Sequence, residues 1–157
     1  MSASKTFNTP GLGCAFAVIS NQALREQFVQ AMAGIVPLIN AMGYIATLVA
    51  FRDCADWHDA LLNYLRANRD CVIQAISRIP NLSVAPVEAT YLAWIDVRSA
   101  GLEHPIKFFE EAGVGLQDGA EFAGPGYMRL NFGCPRVILE KALNRMASAL
   151  EANTQKK

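Results

Sequence analysis

The sequence predicts an α/β protein whose second half is a small α+β domain, with helices packed on a small mixed sheet. Two observations carry this prediction. Apolar residues recur at helical spacing in several long segments, and short segments rich in β-branched and aromatic residues lie between those helices. We expect a first domain over residues 1–55, a second over residues 56–152, and a disordered tail over residues 153–157.

The first domain is dominated by apolar segments. The run "CAFAVI" at residues 14–19 predicts a buried strand. Asn21 is suited to cap a following helix that ends near Gly34. Pro37 predicts the start of a second helix, "PLINAMGYIATLVAF", which has no polar face and must be covered on most sides. We expect an oligomer, or sequence outside this chain, to provide that cover.

The second domain alternates helices with short strands. Its longest helix is predicted in "DWHDALLNYLRANRDCVIQAISRIP", where Pro80 ends it, and Pro135 begins the last helix. The apolar stripe of that last helix consists of Leu139, Leu143, Met146 and Leu150. The intervening elements are strands in "LSVAPV", "YLAWIDV" and "YMRLNFG", a short helix in "HPIKFFEEAG" and a short strand or turn in "VGLQDG".

Composition narrows the class of protein. Of the 157 residues, 52% are hydrophobic, and the 14 basic residues balance the 14 acidic ones. Nucleic acid and anionic membranes are therefore poor partners. The apolar stretches are too short to span a bilayer and lack the charged lead-in of a signal peptide. We expect no membrane association.

The four cysteines favour a reducing compartment. They form no CxxC pair and have no histidine at ligand spacing, which is typical of reduced, buried thiols rather than of a metal site. We expect a cytoplasmic protein without a metal.

Lys5 is the first candidate for chemistry. A lysine that forms a Schiff base must present a neutral amine, and small flanking residues let a bulky cofactor approach it. Ser2 and Ser4 add short hydroxyls suited to a phosphate. By itself "SASK" is more typical of a solvated terminus than of a cofactor site. An ordered site is favoured by the segment that follows, in which a turn rich in Asn, Pro and Gly leads into an apolar run: "TFNTPGLGCAFAVI".

Five segments together resemble one known family. The chain is similar, over essentially its whole length, to the C-terminal part of fold-type-I enzymes that depend on pyridoxal phosphate, in the class I/II aminotransferase-like family. The resemblance is greatest to the branch of cystathionine β-lyases (C–S lyases) and maltose-regulon modulators. The segments are "SASKTFNTPGLGCAFAVI", "NYLRANRD", "VEATYLAWIDVR", "FFEEAGVGLQDGAEF" and "YMRLNFGCPRVILEKAL".

The resemblance implies an organisation for the chain. Residues 1–55 would be the C-terminal remnant of a large cofactor-binding domain in the PLP-dependent transferase fold, and residues 56–152 the small domain. Residues Asn40 to Tyr44 resemble a segment near the interface of a homodimer, although helix packing is the commoner role for such residues.

The resemblance also assigns a cofactor site. Lys5 matches the lysine that binds the aldehyde of pyridoxal 5'-phosphate and then moves the substrate α-proton. Ser2 matches a phosphate-binding serine, and Ser4 adds a second hydroxyl. Many aminotransferases carry an arginine eight residues after the lysine, where this chain has Gly13. That departure favours the lyase branch.

For the substrate, Arg129 matches the arginine that binds the α-carboxylate. In a strand, Arg129 lies on the face opposite Met128 and Leu130. Its planar guanidinium can donate two parallel hydrogen bonds to a carboxylate there. A surface salt bridge is the alternative. Thr90 and Tyr91 lie in a stretch that approaches the substrate in the family, although core packing is the commoner role for such a tyrosine.

The implied reaction acts on amino acids. In a lyase, β-elimination gives pyruvate, ammonia and a thiol; in an aminotransferase, the amino group passes to a 2-oxo acid. The residues named above serve both outcomes. A catalytically inert fragment and a regulatory protein that binds a transcription factor remain open as alternatives.

Overall fold

The structure, a computed structural model, describes residues 1–155. It divides into two compact units, Met1–Leu61 and the residues from Leu62 onward. The division falls within a long helix, a few residues after the boundary predicted between residues 55 and 56. Each unit is described by itself below.

The first unit consists of helices. They are α1 (Ala3–Thr6), α2 (Gln22–Met32), α3 (Ala41–Asp53) and the beginning of α4 (Ala55–Ile76), with a 3-10 turn at Pro10–Leu12. The expected cap of α2 is present: the Asn21 side chain accepts a hydrogen bond from the backbone N–H of Leu24 at 3.0 Å. The apolar helix α3 buries only Gly43 and Ala50, so most of its large side chains are exposed in this chain.

Two predictions for this unit are wrong. Helix α3 begins at Ala41, not at Pro37, because Asn40 accepts a hydrogen bond from the Gly43 N–H at 2.8 Å and so caps the helix there. Residues 14–19 form no strand; their only pairing is an isolated bridge between Ala15 and Ser2. A buried strand needs partners for its backbone groups on both sides, and no other strand lies in this unit, whose residues are all described.

The second unit is built on a four-stranded sheet. Its strands are β1 (Ser83–Val84), β2 (Leu92–Asp96), β3 (Gln117–Asp118) and β4 (Tyr127–Asn131), in the order β1-β2-β4-β3. All three pairings are antiparallel, so the predicted mixed sheet is wrong in this detail. Strands β3 and β4 are linked by a 3-10 turn at Gly119–Phe122, and so short a connection requires antiparallel pairing.

Helices cover one face of this sheet. They are the remainder of α4, α5 (Pro105–Glu111) and α6 (Arg136–Thr154). The predicted stripe of α6 is confirmed, since all four of its members are buried. Helix α6 includes the first two residues of the tail that was expected to be disordered, and Lys156 and Lys157 lie outside the described residues. No helix in the described part of the chain is both long and apolar enough to cross a membrane.

The alternation predicted around Arg129 in β4 is confirmed, and β2 alternates in the same way. Ala93 and Ile95 of β2 and Met128 and Leu130 of β4 are buried in the hydrophobic core. The opposite face of the sheet carries larger and more polar side chains, among them Arg129. The sheet therefore presents one face to the hydrophobic core and an outer face that carries Arg129.

Candidate functional site

The backbone around Lys5 is held by the segment that follows it. Met1 and Phe16 exchange two hydrogen bonds, from each backbone nitrogen to the other carbonyl oxygen, at 2.7 and 2.9 Å. Ser2 then caps α1: its Oγ accepts from the Ser4 N–H at 3.0 Å and lies 2.9 Å from the Cys14 carbonyl oxygen. The residues of "SASK" are thus ordered, not a frayed terminus.

Ring contacts fix the other end of α1. Phe7 meets Phe51 edge to face, with ring centroids 5.3 Å apart, and stacks on Trp57 at 6.1 Å. The imidazole of His58 lies 5.6 Å from the same ring. Both ends of this four-residue helix are therefore anchored to other parts of the first unit.

Lys5 is exposed, and its amine has no hydrogen-bond or ion-pair partner within the described residues. The Ser2 and Ser4 hydroxyl oxygens, 2.8 Å apart, lie on the same helical turn. An unengaged amine and two neighbouring hydroxyls form a donor set that can receive an aldehyde and a phosphate.

Arg129 lies on the outer face of the sheet in the second unit. It pairs with Trp94 on β2 and with Gln117 on β3. Its Nε donates to Oε1 of Gln117 at 2.8 Å, and Nη2 donates to the same oxygen. Its guanidinium carbon lies 4.0 Å from the centroid of the Phe122 ring, a cation–π contact. The expected salt-bridge alternative is not what the structure has, since Arg129 has no carboxylate partner among residues 1–155.

A second arginine beside this face is paired with a carboxylate, as Arg129 is not. Arg98 forms an ion pair with Asp96, with 2.6 Å between Nη2 and Oδ2, and its guanidinium lies 4.8 Å from the centroid of the Tyr127 ring. Hydrogen bonds from the Arg98 side chain, and then from its backbone N–H, hold the pKa of Asp96 below its ordinary value. Arg98 is therefore neutralised, whereas Arg129 keeps its charge.

The Asp96 pairing predicts a change in titration. We expect Arg98→Ala to raise the pKa of Asp96 toward its ordinary value, because the side-chain hydrogen bonds to the carboxylate are lost while the bond from the backbone N–H remains. A folded-state pKa below the unfolded one stabilises the fold at neutral pH, and this contribution disappears as the pH falls through the folded-state value. The chemical shift of the Asp96 carboxyl carbon, followed by NMR as a function of pH, measures this pKa. Arg66→Ala is the control, and an unchanged Asp96 titration in Arg98→Ala would contradict the assignment.

Thr90 and Tyr91 lie beside β2. Thr90 has a positive φ of 68°, and its Oγ1 accepts from the Leu92 N–H at 3.2 Å. Tyr91 packs against the hydrophobic core, and its carbonyl accepts from the Phe132 N–H at 2.9 Å. These contacts favour the packing role that the sequence left open for Tyr91. Substrate binding by either residue stays a prediction.

The predicted site residues thus form two groups. Ser2, Ser4 and Lys5 lie together in the first unit, and Arg129 lies with Thr90 and Tyr91 in the second. Sequence reasoning missed Gln117 and Phe122, which hold the Arg129 guanidinium. No local pattern signals them, because the register between β3 and β4 brings them to Arg129.

A family model matches most of the chain. It is described as aminotransferase class I and II, and it matches residues 1–146. Among curated proteins, the chain is 31% identical over 159 residues to the protein MalY of Escherichia coli (strain K12), covering 96% of this chain and 41% of that protein. It is 34% identical over 150 residues to a cystathionine beta-lyase of Corynebacterium glutamicum, covering 94% and 40% respectively.

Solved structures agree with this result. The structure of OvoB superposes with a TM-score of 0.92 at 46% identity, covering 96% of this chain and 40% of that one. The PLP-bound C-S lyase from Staphylococcus hominis gives a TM-score of 0.84 at 29% identity, covering 96% and 41%. These similarities confirm the predicted fold class. The chain spans about two fifths of the length of the relatives that it matches. With the family model covering nearly its whole length, the chain belongs to the aminotransferase class I and II family.

Proposed function

We propose that this chain supplies the cofactor-binding lysine and the carboxylate-binding arginine of a PLP-dependent C–S lyase of the cystathionine β-lyase type. The observation that carries the proposal is the position of Lys5, which has no side-chain partner among the described residues, on the short anchored helix that also carries Ser4 and is capped by Ser2. The names of the similar proteins support it, since one is a cystathionine beta-lyase and another a PLP-bound C-S lyase.

The residues of α1 fit pyridoxal 5'-phosphate. Lys5 offers a primary amine for the aldehyde, and the Ser4 hydroxyl offers a hydrogen bond to the phosphate. The Ser2 hydroxyl, whose one proton is shared between Ser4 Oγ and the Cys14 carbonyl, would add a second bond by rotating toward the phosphate. When bound, this cofactor supplies an electron sink for the carbanion left by loss of the α-proton.

The chain's own residues perform the steps around that chemistry. Arg129 binds the substrate α-carboxylate through its guanidinium and so fixes the direction of the Cα–H bond. The Lys5 amine accepts the proton from Cα as general base. The electron pair of that bond forms a Cα–Cβ double bond as the Cβ–S bond breaks, and the sulfur leaves as a thiol. Water then releases pyruvate and ammonia.

Amino transfer is the second candidate, because the family's own description names aminotransferases. Lys5 would then again move the proton taken from Cα, no thiol would leave, and the bound cofactor would supply a carrier for the amino group. Cystathionine with pyridoxal phosphate separates the candidates: release of pyruvate supports the lyase, and exchange of an amino group with a 2-oxo acid supports the aminotransferase. Neither product would indicate the inert fragment.

Reductive trapping tests the role of Lys5 without turnover. We expect borohydride, added after stoichiometric pyridoxal phosphate, to fix the cofactor mainly on Lys5, because its amine is unpartnered and lies beside two hydroxyls. Peptide mass spectrometry locates the added mass. Lys5→Arg should abolish this labelling, whereas Lys141→Arg, which changes an exposed lysine of α6, should not. Equal labelling of all lysines would overturn the assignment.

The remaining features of the proposal concern the whole protein. We place it in the cytoplasm, where its four cysteines, all free in the structure, stay reduced. We also propose a homodimer, which would cover apolar side chains of α3 that are exposed here, such as Tyr44 and Leu48. Its small-molecule partner is an amino acid.

A further inference from the structure

We propose that Gln117 is a positioning residue for Arg129, which holds one edge of the guanidinium so that the opposite end is left to receive a carboxylate. The inference rests on the proposed function, in which Arg129 binds the substrate α-carboxylate. It adds a residue that neither the family pattern in the sequence nor the chemistry of Lys5 identifies.

The contact is built into the sheet. Gln117 and Arg129 are cross-strand partners in the β3–β4 register, and their side chains lie on the same face. Both Nε and Nη2 of Arg129 donate to the single oxygen Oε1 of Gln117. The side edge of the guanidinium is therefore occupied by a protein group.

Phe122 restricts movement of the guanidinium perpendicular to its own plane. Its ring lies against one flat side of the group, 4.0 Å from the guanidinium carbon. In turn, the Phe122 ring meets Trp94 edge to face, with centroids 6.3 Å apart. With one edge and one flat side held, the plane of the guanidinium is defined before any ligand arrives.

The donors that remain have the geometry that a carboxylate requires. A guanidinium has five N–H donors, and Gln117 takes two of them. The other three belong to the Nη1 and Nη2 end, where two parallel N–H bonds can meet both oxygens of a carboxylate. Ordering this end in advance lowers the entropy cost of binding.

The chemistry of the partner matters as much as its position. A glutamine orients the guanidinium without neutralising its charge, in contrast to Asp96, which neutralises Arg98 on the same face. An acidic residue at position 117 would hold Arg129 equally well but would compete with the substrate for its charge. A neutral acceptor is therefore suited to a binding arginine.

NMR of the Arg129 side chain tests the positioning directly. The Nε–H signal, assigned by its loss in Arg129→Lys, should exchange slowly with water in the unmodified chain. We expect Gln117→Leu to accelerate this exchange about tenfold or more, as loss of a hydrogen bond to a charged group predicts. Gln117→Glu should restore the slow exchange. Gln74→Leu, at an exposed glutamine of α4, is the matched control and should leave it unchanged.

Acetate is the carboxylate probe, with chloride at equal ionic strength as its control. Acetate should shift the Arg129 signals of the unmodified chain, and Gln117→Glu should weaken that response despite slow Nε–H exchange. If Arg129 responds to acetate but Gln117→Leu changes neither exchange nor response, the inference fails and the proposed function stands. If Arg129 of the unmodified chain ignores acetate, both fail. Phe122→Leu provides a second variant that loosens the same guanidinium, should Gln117→Leu not fold.

Discussion

Replacing Asn68 by aspartate is expected to destabilise the second unit by roughly 3–5 kcal/mol, the cost of leaving an uncompensated charge buried. Asn68 is completely buried on α4, and its Nδ2 donates to the carbonyl oxygens of Phe132 and Cys134 at 2.8 and 2.9 Å. Those carbonyls lie in the segment that connects β4, the strand of Arg129, to α6. The contact therefore joins two helices to the strand that carries the candidate site.

The chemistry of the Asn68→Asp substitution explains the size of the expected loss of stability. Aspartate has nearly the same shape but turns two donated hydrogen bonds into repulsion between a carboxylate and two carbonyl oxygens. No cationic side chain donates to the Asn68 side chain, since its own Oδ1 has no hydrogen-bond partner within the described residues. Burial should raise the pKa of the introduced carboxyl, so the native state binds a proton that the unfolded state releases. The loss of stability should then grow as the pH rises above the unfolded-state value.

Urea unfolding followed by circular dichroism, at neutral pH and at about pH 3.9, the reference pKa of an aspartate side chain, measures both effects. Asn63→Asp is the matched control, because Asn63 is an exposed residue of the same helix that accepts a hydrogen bond from Arg66. A change in the free energy of unfolding as small for Asn68→Asp as for Asn63→Asp would show that the two carbonyls do not depend on Asn68.

Gly119→Ala should destabilise the same unit by about 1–3 kcal/mol or more. A Cβ at this position would lie 2.5 Å from the Tyr127 carbonyl oxygen and would also overlap the Gly124 carbonyl. Both obstacles are backbone atoms of the turn and strand next to Phe122, so neither can rotate away as a flexible side chain would. The turn must shift, and Phe122 with it.

Two measurements separate this effect from a general loss of stability. The free energy of unfolding should fall in Gly119→Ala but stay within about 0.5 kcal/mol in Gly115→Ala, where an added Cβ has no other group within 4 Å. The Arg129 side-chain signals should also move in Gly119→Ala alone, since Phe122 lies against the guanidinium. Unchanged stability in Gly119→Ala would mean that the turn is not as closely packed as its backbone distances indicate.

Local patterns predicted much of the second unit. The stripe of α6 and the alternation of β4 are visible in the sequence because apolar residues repeat with the period of a helix or a strand. The same alternation predicts that Arg129 lies on the face opposite Met128 and Leu130, where the structure has it. The resemblance of whole segments named the family correctly.

The first unit shows the limits of such patterns. An apolar run at residues 14–19 has the composition of a buried strand, but composition does not provide neighbouring strands to pair with. Pro37 is an acceptable first residue of a helix, yet Asn40 determines the start of α3 through hydrogen bonds to Gly43 N–H and to the Leu12 carbonyl. That second bond joins residues far apart in sequence, so no local signal announces it.

The sequence by itself determined the family, the helices and strands of the second unit, and the face on which Arg129 lies, because these depend on residue type and on spacing along the chain. Only the tertiary structure decided that Gln117 and Phe122 hold Arg129 and that Asn68 supports the strand end behind it. Such contacts arise from strand register and helix packing, which bring together groups that are distant in the sequence and that carry no shared pattern.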